Sequence, residues 1–289
     1  MTKTPRIALI TGASSGLGVA FAHAIEAAEH TPYADNAPTE FWLVARRRER
    51  LEQLAAELHR PARVFALDVT DPAATDVLVE ALREAQMKAT AAPANSPARP
   101  QHRNEAQATP ILQYLVLSAG LGDIGAFADL DEAQHERMIA LNIEAMTRQL
   151  AAFHSFLAPG AQVFPIASVA AFLPQPDFAT YAATKAYVLS LSRALHAEWK
   201  ADGITVTAVC PNPMETEFFT RTESNRRQSS SIKQIGVESP DAVARYALKR
   251  AAAGKDIAVR HALAKGIHLA SKLFPTRFIL VMEKVLGIY

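Results

Sequence analysis

Tyr181 and Lys185 stand four residues apart in the run Phe178-Ala-Thr-Tyr181-Ala-Ala-Thr-Lys185, which opens a stretch rich in helix formers reaching Trp199. On a helix that spacing puts both side chains on one face. A phenol titrates near ~10, so alone it is a poor proton exchanger at neutral pH, and a nearby cation favours its ionised form. Bringing it to ~7 takes about 4 kcal/mol. Coulomb's law supplies ~4 kcal/mol for unit charges ~4 Å apart at an effective dielectric of ~20. One ammonium therefore nearly suffices, and a second positive charge completes the shift. The same pair also reads as a surface Tyr stacked over a Lys stem, so its meaning rests on its surroundings.

Several of those surroundings carry chemistry of their own. Ser168 stands 13 residues before Tyr181, at the end of the apolar run Gln162-Val-Phe-Pro-Ile-Ala167. Asn142 lies in Met-Ile-Ala-Leu-Asn142-Ile-Glu and needs partners for several polar atoms, although a helix-bending structural Asn is the bland alternative. Near the N-terminus, the buried-strand pattern Arg6-Ile-Ala-Leu-Ile10 runs into Thr11-Gly12-Ala-Ser14-Ser15-Gly16-Leu17-Gly18 and then into Val19-Ala-Phe-Ala-His-Ala-Ile25, which has helical character. Strand, glycine turn and helix start together make a phosphate cradle, because glycines allow close backbone approach and the first helical N–H groups attract anions. The spacing is Gly-x3-Gly-x-Gly rather than the general dinucleotide fingerprint. A second strand, Phe41 to Ala45, ends in Arg46-Arg47-Arg48-Glu49-Arg50. Cations at a helix start oppose its dipole, so these are either a solvated charge run or the seat of an anion. An acidic residue here would bind a ribose 2′-hydroxyl, whereas Ala45 and Arg46 suit a 2′-phosphate.

The elements that must position these groups alternate. Further strands are expected at Arg63–Leu67 (closed by Asp68-Val69), Ile111–Leu117 (entering Ser118-Ala119-Gly120), Gln162–Ala167, Gly203–Val209 and Asp256–Val259. Helices are expected after the arginine run to about Leu58, and at 71–87, 131–157, 181–199 and 239–253. The pattern predicts an α/β fold: about seven parallel strands flanked by helices on both faces, with ligands outside the strands' carboxyl ends. Residues 29–40 break both periodicities and read as a surface loop. Residues 88–109 contain no Phe, Tyr, Trp, Val, Ile or Leu and read as a disordered insertion. Residues 217–237 are polar and irregular and suit a mobile lid. From Gly266 onward the chain is apolar and mildly basic at helical spacing. It packs on the domain, forms a subunit interface or lies on a membrane surface.

Composition excludes little and narrows somewhat. The 289 residues are 49% hydrophobic and 20% charged, with net charge +1, so no global field recommends nucleic acid. The single Cys210 excludes an intrachain disulfide, and its apolar setting reads as a buried structural thiol. The nine His residues show no metal-ligand spacing, so no metal is assigned. No apolar run approaches the ~18 residues of a spanning helix, and no apolar segment resembling a secretory signal precedes the first strand. A cytoplasmic location is the expectation.

Laid out in this order, the residues resemble the short-chain dehydrogenase/reductase family over essentially the whole chain apart from the insertions and the tail. Thr11 to Gly18 is similar to its TGxxxGxG loop, Asp68-Val69 to its adenine-contacting Asp, and Ser118-Ala119-Gly120 stands where the family has Asn-Ala-Gly. Asn142, Ser168, Tyr181 and Lys185 match its catalytic tetrad. Thr216, following the Pro211-Asn212-Pro213 turn, matches the Thr that holds the nicotinamide carboxamide. Ser118 for Asn and Asn212 for Gly are departures, and neither removes a catalytic group.

The resemblance implies one Rossmann-type doubly wound domain over 1–265, with 266–289 as an amphipathic tail. It implies NADP(H) as cofactor, a small carbonyl or alcohol substrate and a homodimer or homotetramer. Tyr181 would be the general acid or base, and Lys185 would lower its pKa and hold the nicotinamide ribose. Ser168 would bind the substrate oxygen, and Asn142 would position a water. The cofactor would lie along Gly12, Ser14, Ser15, Gly16, Leu17, Gly18, Arg46, Asp68, Val69, Ala119, Gly120 and Pro211, reaching Tyr181, Lys185 and Thr216. Rival expectations are a non-catalytic NADP-binding sensor or scaffold, and a lipid-associated reductase docked through its tail.

Overall fold

A computed structural model of the chain describes residues 5–28, 38–90, 111–214 and 237–285. Strand and helix alternate: β1 (Ile7–Thr11), α1 (Gly16–Ala27), β2 (Glu40–Ala45), α2 (Arg48–Glu57), β3 (Ala62–Ala66), α3 (Pro72–Thr90), β4 (Leu112–Leu117), α4 (Glu132–Ile139), α5 (Met146–Phe153), β5 (Leu157–Pro165), α6 (Ala179–Glu198), β6 (Thr205–Val206), β7 (Ala208–Val209), α7 (Pro240–Ala252), β8 (Ile257–Ala258), α8 (Ala262–Leu273) and α9 (Thr276–Val285).

β1 and β4 are buried at every residue, as strands covered on both faces must be. Side-chain alternation divides β1 between two cores. Ile7 and Leu9 join residues of α3, α5 and α6, among them Leu78, Phe153 and Val188. Ala8 and Ile10 join residues of α1, α2 and α7, among them Phe21, Leu51 and Ala247. The parallel order is β3-β2-β1-β4-β5-β6. It reverses beside β1, which opens a crevice between the carboxyl ends of β1 and β4.

The sheet has six strands rather than about seven, because the expected strand 203–209 breaks at Thr207. β6 pairs with β5, whereas β7 pairs with β8 in a separate two-stranded ladder. Fully buried Thr207 makes the transfer: its N–H donates to Val163 O (2.8 Å) and its hydroxyl to Lys255 O (2.7 Å). β5 begins at Leu157, five residues before the expected Gln162. Pro159 and Gly160 mask that start in the sequence, and Gly160 O is held by the Gln113 side chain at 2.9 Å.

The single helix expected over 131–157 is segmented. Asp131 opens α4 with a reciprocal capping box to Gln134. A π turn, Ala140–Ala145, then leads into α5. α3 runs on to Thr90, so the expected insertion at 88–109 begins inside a helix, and its remainder, 91–110, lies outside the described residues. Most of the 29–40 loop and nearly all of the 217–237 lid lie outside them too. Ser239 precedes α7, but its hydroxyl makes no capping bond; Pro240 starts the helix. α8 crosses the 265/266 boundary expected between domain and tail.

The turn at 211–214 is held from below by Glu238, whose side chain is 1% exposed. Glu238 Oε2 accepts from the Asn212 N–H (2.9 Å) and Oε1 from Arg260 Nη1 (3.2 Å). Its own N–H donates to Pro213 O at 2.9 Å. Glu238→Ala leaves a buried donor without this acceptor, and urea denaturation is expected to show a loss of about 2 kcal/mol. A change within ~0.5 kcal/mol, the range of ordinary surface substitutions, contradicts this account of the turn.

Candidate active site

The glycine loop is shaped by close backbone contact. Gly12 has φ +69°, and a Cβ on it would stand 2.7 Å from Ala119 N at the end of β4. A Cβ on Gly18 would stand 2.4 Å from Gly12 O. Only glycine lets loop, helix and neighbouring strand meet so closely. Ser15 precedes α1 in extended geometry, and its hydroxyl makes no capping bond, leaving the first N–H groups of the helix to an anion.

Arg47 fastens this loop. Its Nη2 donates to Ser14 Oγ (3.1 Å) and Ser14 O (3.3 Å), with Nε 3.4 Å from the same hydroxyl. Sequence reasoning singled out Arg46 and missed Arg47; the arginine run was visible, but not which member turns toward the loop. Arg46 is 68% exposed and places Nη1 3.8 Å from Asp68 Oδ2. Burial works against the Asp68 carboxylate. The Thr70 N–H (3.0 Å) and hydroxyl (2.8 Å), with Arg46, nevertheless hold its pKa below the usual range.

At the other end, Ser168 caps the short 3-10 turn Val169–Phe172, its Oγ accepting from the Ala170 N–H at 3.1 Å. Tyr181 and Lys185 lie one turn apart on α6 and are only 7% and 4% exposed. The surface stack of Tyr over Lys is thereby excluded. The Ser168 side chain hydrogen-bonds Tyr181. Phe178 stacks on the Tyr181 ring, with centroids 4.2 Å apart. Lys185 Nζ donates to Ile166 O (2.8 Å) and stands 5.6 Å from the Tyr181 ring centroid.

The electrostatics correct one expectation. Burial pushes the Tyr181 phenol up to about 12, against the hydrogen bond from Ser168. Burial pushes Lys185 down to about 8, although the Cys210 thiol favours its cation. The shift imposed by burial thus runs opposite to the one that a nearby ammonium favours.

Asn142 is fully buried inside the π turn. Its Nδ2 donates to Leu121 O (2.8 Å) and Thr184 Oγ1 (3.0 Å), and its Oδ1 accepts from the Leu121 N–H (3.1 Å). The amide is thus engaged in tying the β4 exit to α6. A Cβ on Gly120 would lie 3.3 Å from Asn142 Oδ1 and 3.4 Å from Lys185 Nζ, so all three meet at one point.

One cleft of about 720 Å³ joins both ends. It is lined by Gly12, Ser14, Ser15, Gly16 and Leu17; by Arg46, Arg47, Asp68 and Val69; by Ala119 and Gly120; and by Ser168, Tyr181, Lys185 and Pro211. Gly18 and Asn142 stand behind the lining as supports. Thr216 lies outside the described residues. Cys210, 1% exposed, is packed beneath the catalytic end, and burial pushes its thiol up to about 12.

Comparison with known proteins agrees with this geometry. The sequence model of the short chain dehydrogenases matches residues 6–91 and 100–227. Sulfoacetaldehyde reductase 2 of Chromohalobacter salexigens is 32% identical over 233 residues, covering 78% of this chain and 80% of that protein. A short-chain dehydrogenase from Sphingobium yanoikuyae, solved in complex with NADPH, is 28% identical and superposes with a TM-score of 0.67 over 96% of each chain. The bulky-bulky ketone specific alcohol dehydrogenase from Comamonas testosteroni is 25% identical, with a TM-score of 0.65 over 98% of this chain and 95% of that one. With its glycine loop, parallel sheet and buried Ser-Tyr-Lys cluster, this chain belongs to the short-chain dehydrogenase family of oxidoreductases.

Proposed function

We propose that the cleft binds NADP(H) and serves the interconversion of a carbonyl compound and its alcohol, with Tyr181 as the general acid or base. The observation that carries this reading is the convergence of Ser168, Tyr181 and Lys185 in the same cleft as the glycine loop. The residues fit the cofactor. The loop has no room for a Cβ at Gly12 or Gly18, α1 directs N–H groups at the cleft, and Arg46 and Arg47 stand where a 2′-phosphate would lie. The NADPH in the Sphingobium structure supports the same choice.

When bound, the nicotinamide donates or accepts the hydride. The chain manages the proton and the orientation. Ser168 Oγ and Tyr181 Oη hydrogen-bond the substrate oxygen. In reduction, Tyr181 Oη delivers its proton as that oxygen becomes a hydroxyl. In the reverse direction the phenolate accepts it. Lys185, fixed by Ile166 O, holds a ribose hydroxyl and stabilises the phenolate. Because the Asn142 amide is engaged, a water relay near Lys185 would use the main-chain carbonyl of Asn142, which the π turn displaces from the regular helical ladder. The intact cluster argues against a non-catalytic sensor.

Loss of NADPH absorbance with a panel of aldehydes and ketones, including the sulfonated aldehyde named for the Chromohalobacter relative, tests the reading. Tyr181→Phe should lower turnover by about 10²–10⁴-fold and leave NADPH affinity unchanged in a fluorescence titration; near-normal turnover refutes the assignment. Arg46→Ala should weaken NADPH binding about tenfold or more, the worth of a charge-assisted hydrogen bond, and leave NADH binding unaltered. Equal weakening of both means that Arg46 does not read the 2′-phosphate.

The pH dependence follows from the phenol. With its pKa pushed up to about 12, Tyr181 stays protonated through the neutral range, so reduction has its donor and should be nearly flat between about pH 6 and 8. Oxidation needs the phenolate, so its initial rate should climb as pH rises. Oxidation that slows toward alkaline pH contradicts Tyr181 as the base.

A further inference from the structure

The C-terminal helices turn much of their apolar surface outward. α8 buries only Ala264, and its inner side rests on the turn after Ser168 through His268 and Phe172, whose ring centroids are 4.4 Å apart. At 3.6 residues per turn, Ala262, Gly266, Leu269 and Leu273 fall on the opposite side. Leu269 is 58% and Leu273 67% exposed, and Phe274, Phe278 and Val281 are exposed as well. Phe274 and Phe278 stack with centroids 5.4 Å apart. Exposed apolar surface of this kind marks a docking face.

Charge selects the occupant. Over α8 and α9 the chain carries Lys265, Lys272, Arg277 and Lys284 against the single acid Glu283. In α8, Lys272 flanks the Leu269–Leu273 stripe, and Arg277 adjoins Phe278 in α9. A two-fold contact between copies of this face would set cations against cations. A bilayer surface containing acidic phospholipids supplies both an apolar layer for the leucines and phenylalanines and phosphates for the flanking cations. No helix among the described residues is long and apolar enough to cross a membrane, so the contact is peripheral. We propose that α8 and α9 dock this protein on an anionic lipid surface. The proposal does not depend on the assigned reaction.

Flotation of the full chain with vesicles of phosphatidylcholine, with and without phosphatidylglycerol, tests it. Sedimentation equilibrium without lipid runs alongside. Binding is expected only to the anionic vesicles and should weaken as salt is raised. Lys272→Gln with Arg277→Gln should weaken it roughly 25-fold, about fivefold for each charge removed. Leu269→Glu with Leu273→Glu should abolish it and leave the thermal unfolding midpoint unchanged, since both side chains are exposed. Equal partitioning onto neutral and anionic vesicles overturns the proposal, as does binding that survives the glutamates. Conversion of an oligomer to a smaller species by the glutamates also overturns it, because a second copy would then cover the face.

Discussion

A buried ammonium bonded to a main-chain carbonyl is the constraint on which the Ser168–Tyr181–Lys185 end of the cleft depends. Lys185 is 4% exposed and donates to Ile166 O, and burial drives it toward neutrality. The carbonyl exists in that position because the strand ends diverge there. The Ile166 N–H still donates to Leu117 O, while the same residue bridges to Val209. The break at Thr207 is therefore more than a local irregularity. It lets the last strand pair with β8 on one side while the Ala167 N–H still donates to Val209 O on the other, and the Ile166 carbonyl just past β5 faces α6.

The cleft divides its electrostatic work along its length. Arg46, Arg47 and the first N–H groups of α1 make one end attractive to phosphate. The other end is dry, and its phenol and amine are each pushed toward the neutral form. Such a pair is held away from its charged forms, and a positive charge placed beside it would favour the phenolate. Burial strengthens that charge's effect on the phenol, because a low local dielectric magnifies any cation that enters. Desolvation that raises the phenol's pKa thus also makes it more responsive to any neighbouring cation.

Legibility in the sequence followed locality. The Tyr181–Lys185 spacing, the glycine loop and the Asp131 helix start are short-range features, and each takes the expected form. The break at Thr207 depends on Val163 and Lys255, remote in sequence, and no local signal marks it. β5 was read late because Pro159 and Gly160 look like a turn. The π turn at Asn142 is stabilised by Leu121 and Thr184 from two other elements, so a helical pattern alone reads straight through it. Arg47 was hidden among like neighbours: a run of arginines does not tell which member reaches the glycine loop, and here it is Arg47, in extended geometry before α2, that bonds Ser14. The direction of the Tyr181 shift escaped for a further reason. Spacing gives the distance between two charges and says nothing of how dry their surroundings are.

The two departures from the family's pattern show where support has moved. With Ser118 in place of an Asn, the exits of β1 and β4 are joined by main chain: the Ser118 N–H donates to Thr11 O at 3.3 Å, and Thr11 Oγ1 accepts from Ala119 N at 3.4 Å. On the opposite wall, Asn212 stands in the Pro-x-Pro turn, and Glu238 takes its N–H while Arg260 balances the carboxylate. A buried carboxylate is costly to desolvate, and it is retained here against a half-exposed Arg that water can still reach. That arrangement earns little net stability from the ion pair itself. Its worth lies in direction: it fixes two backbone segments, 212–213 and 238, against each other, and so fixes the wall of the cleft nearest Ser168 and Tyr181.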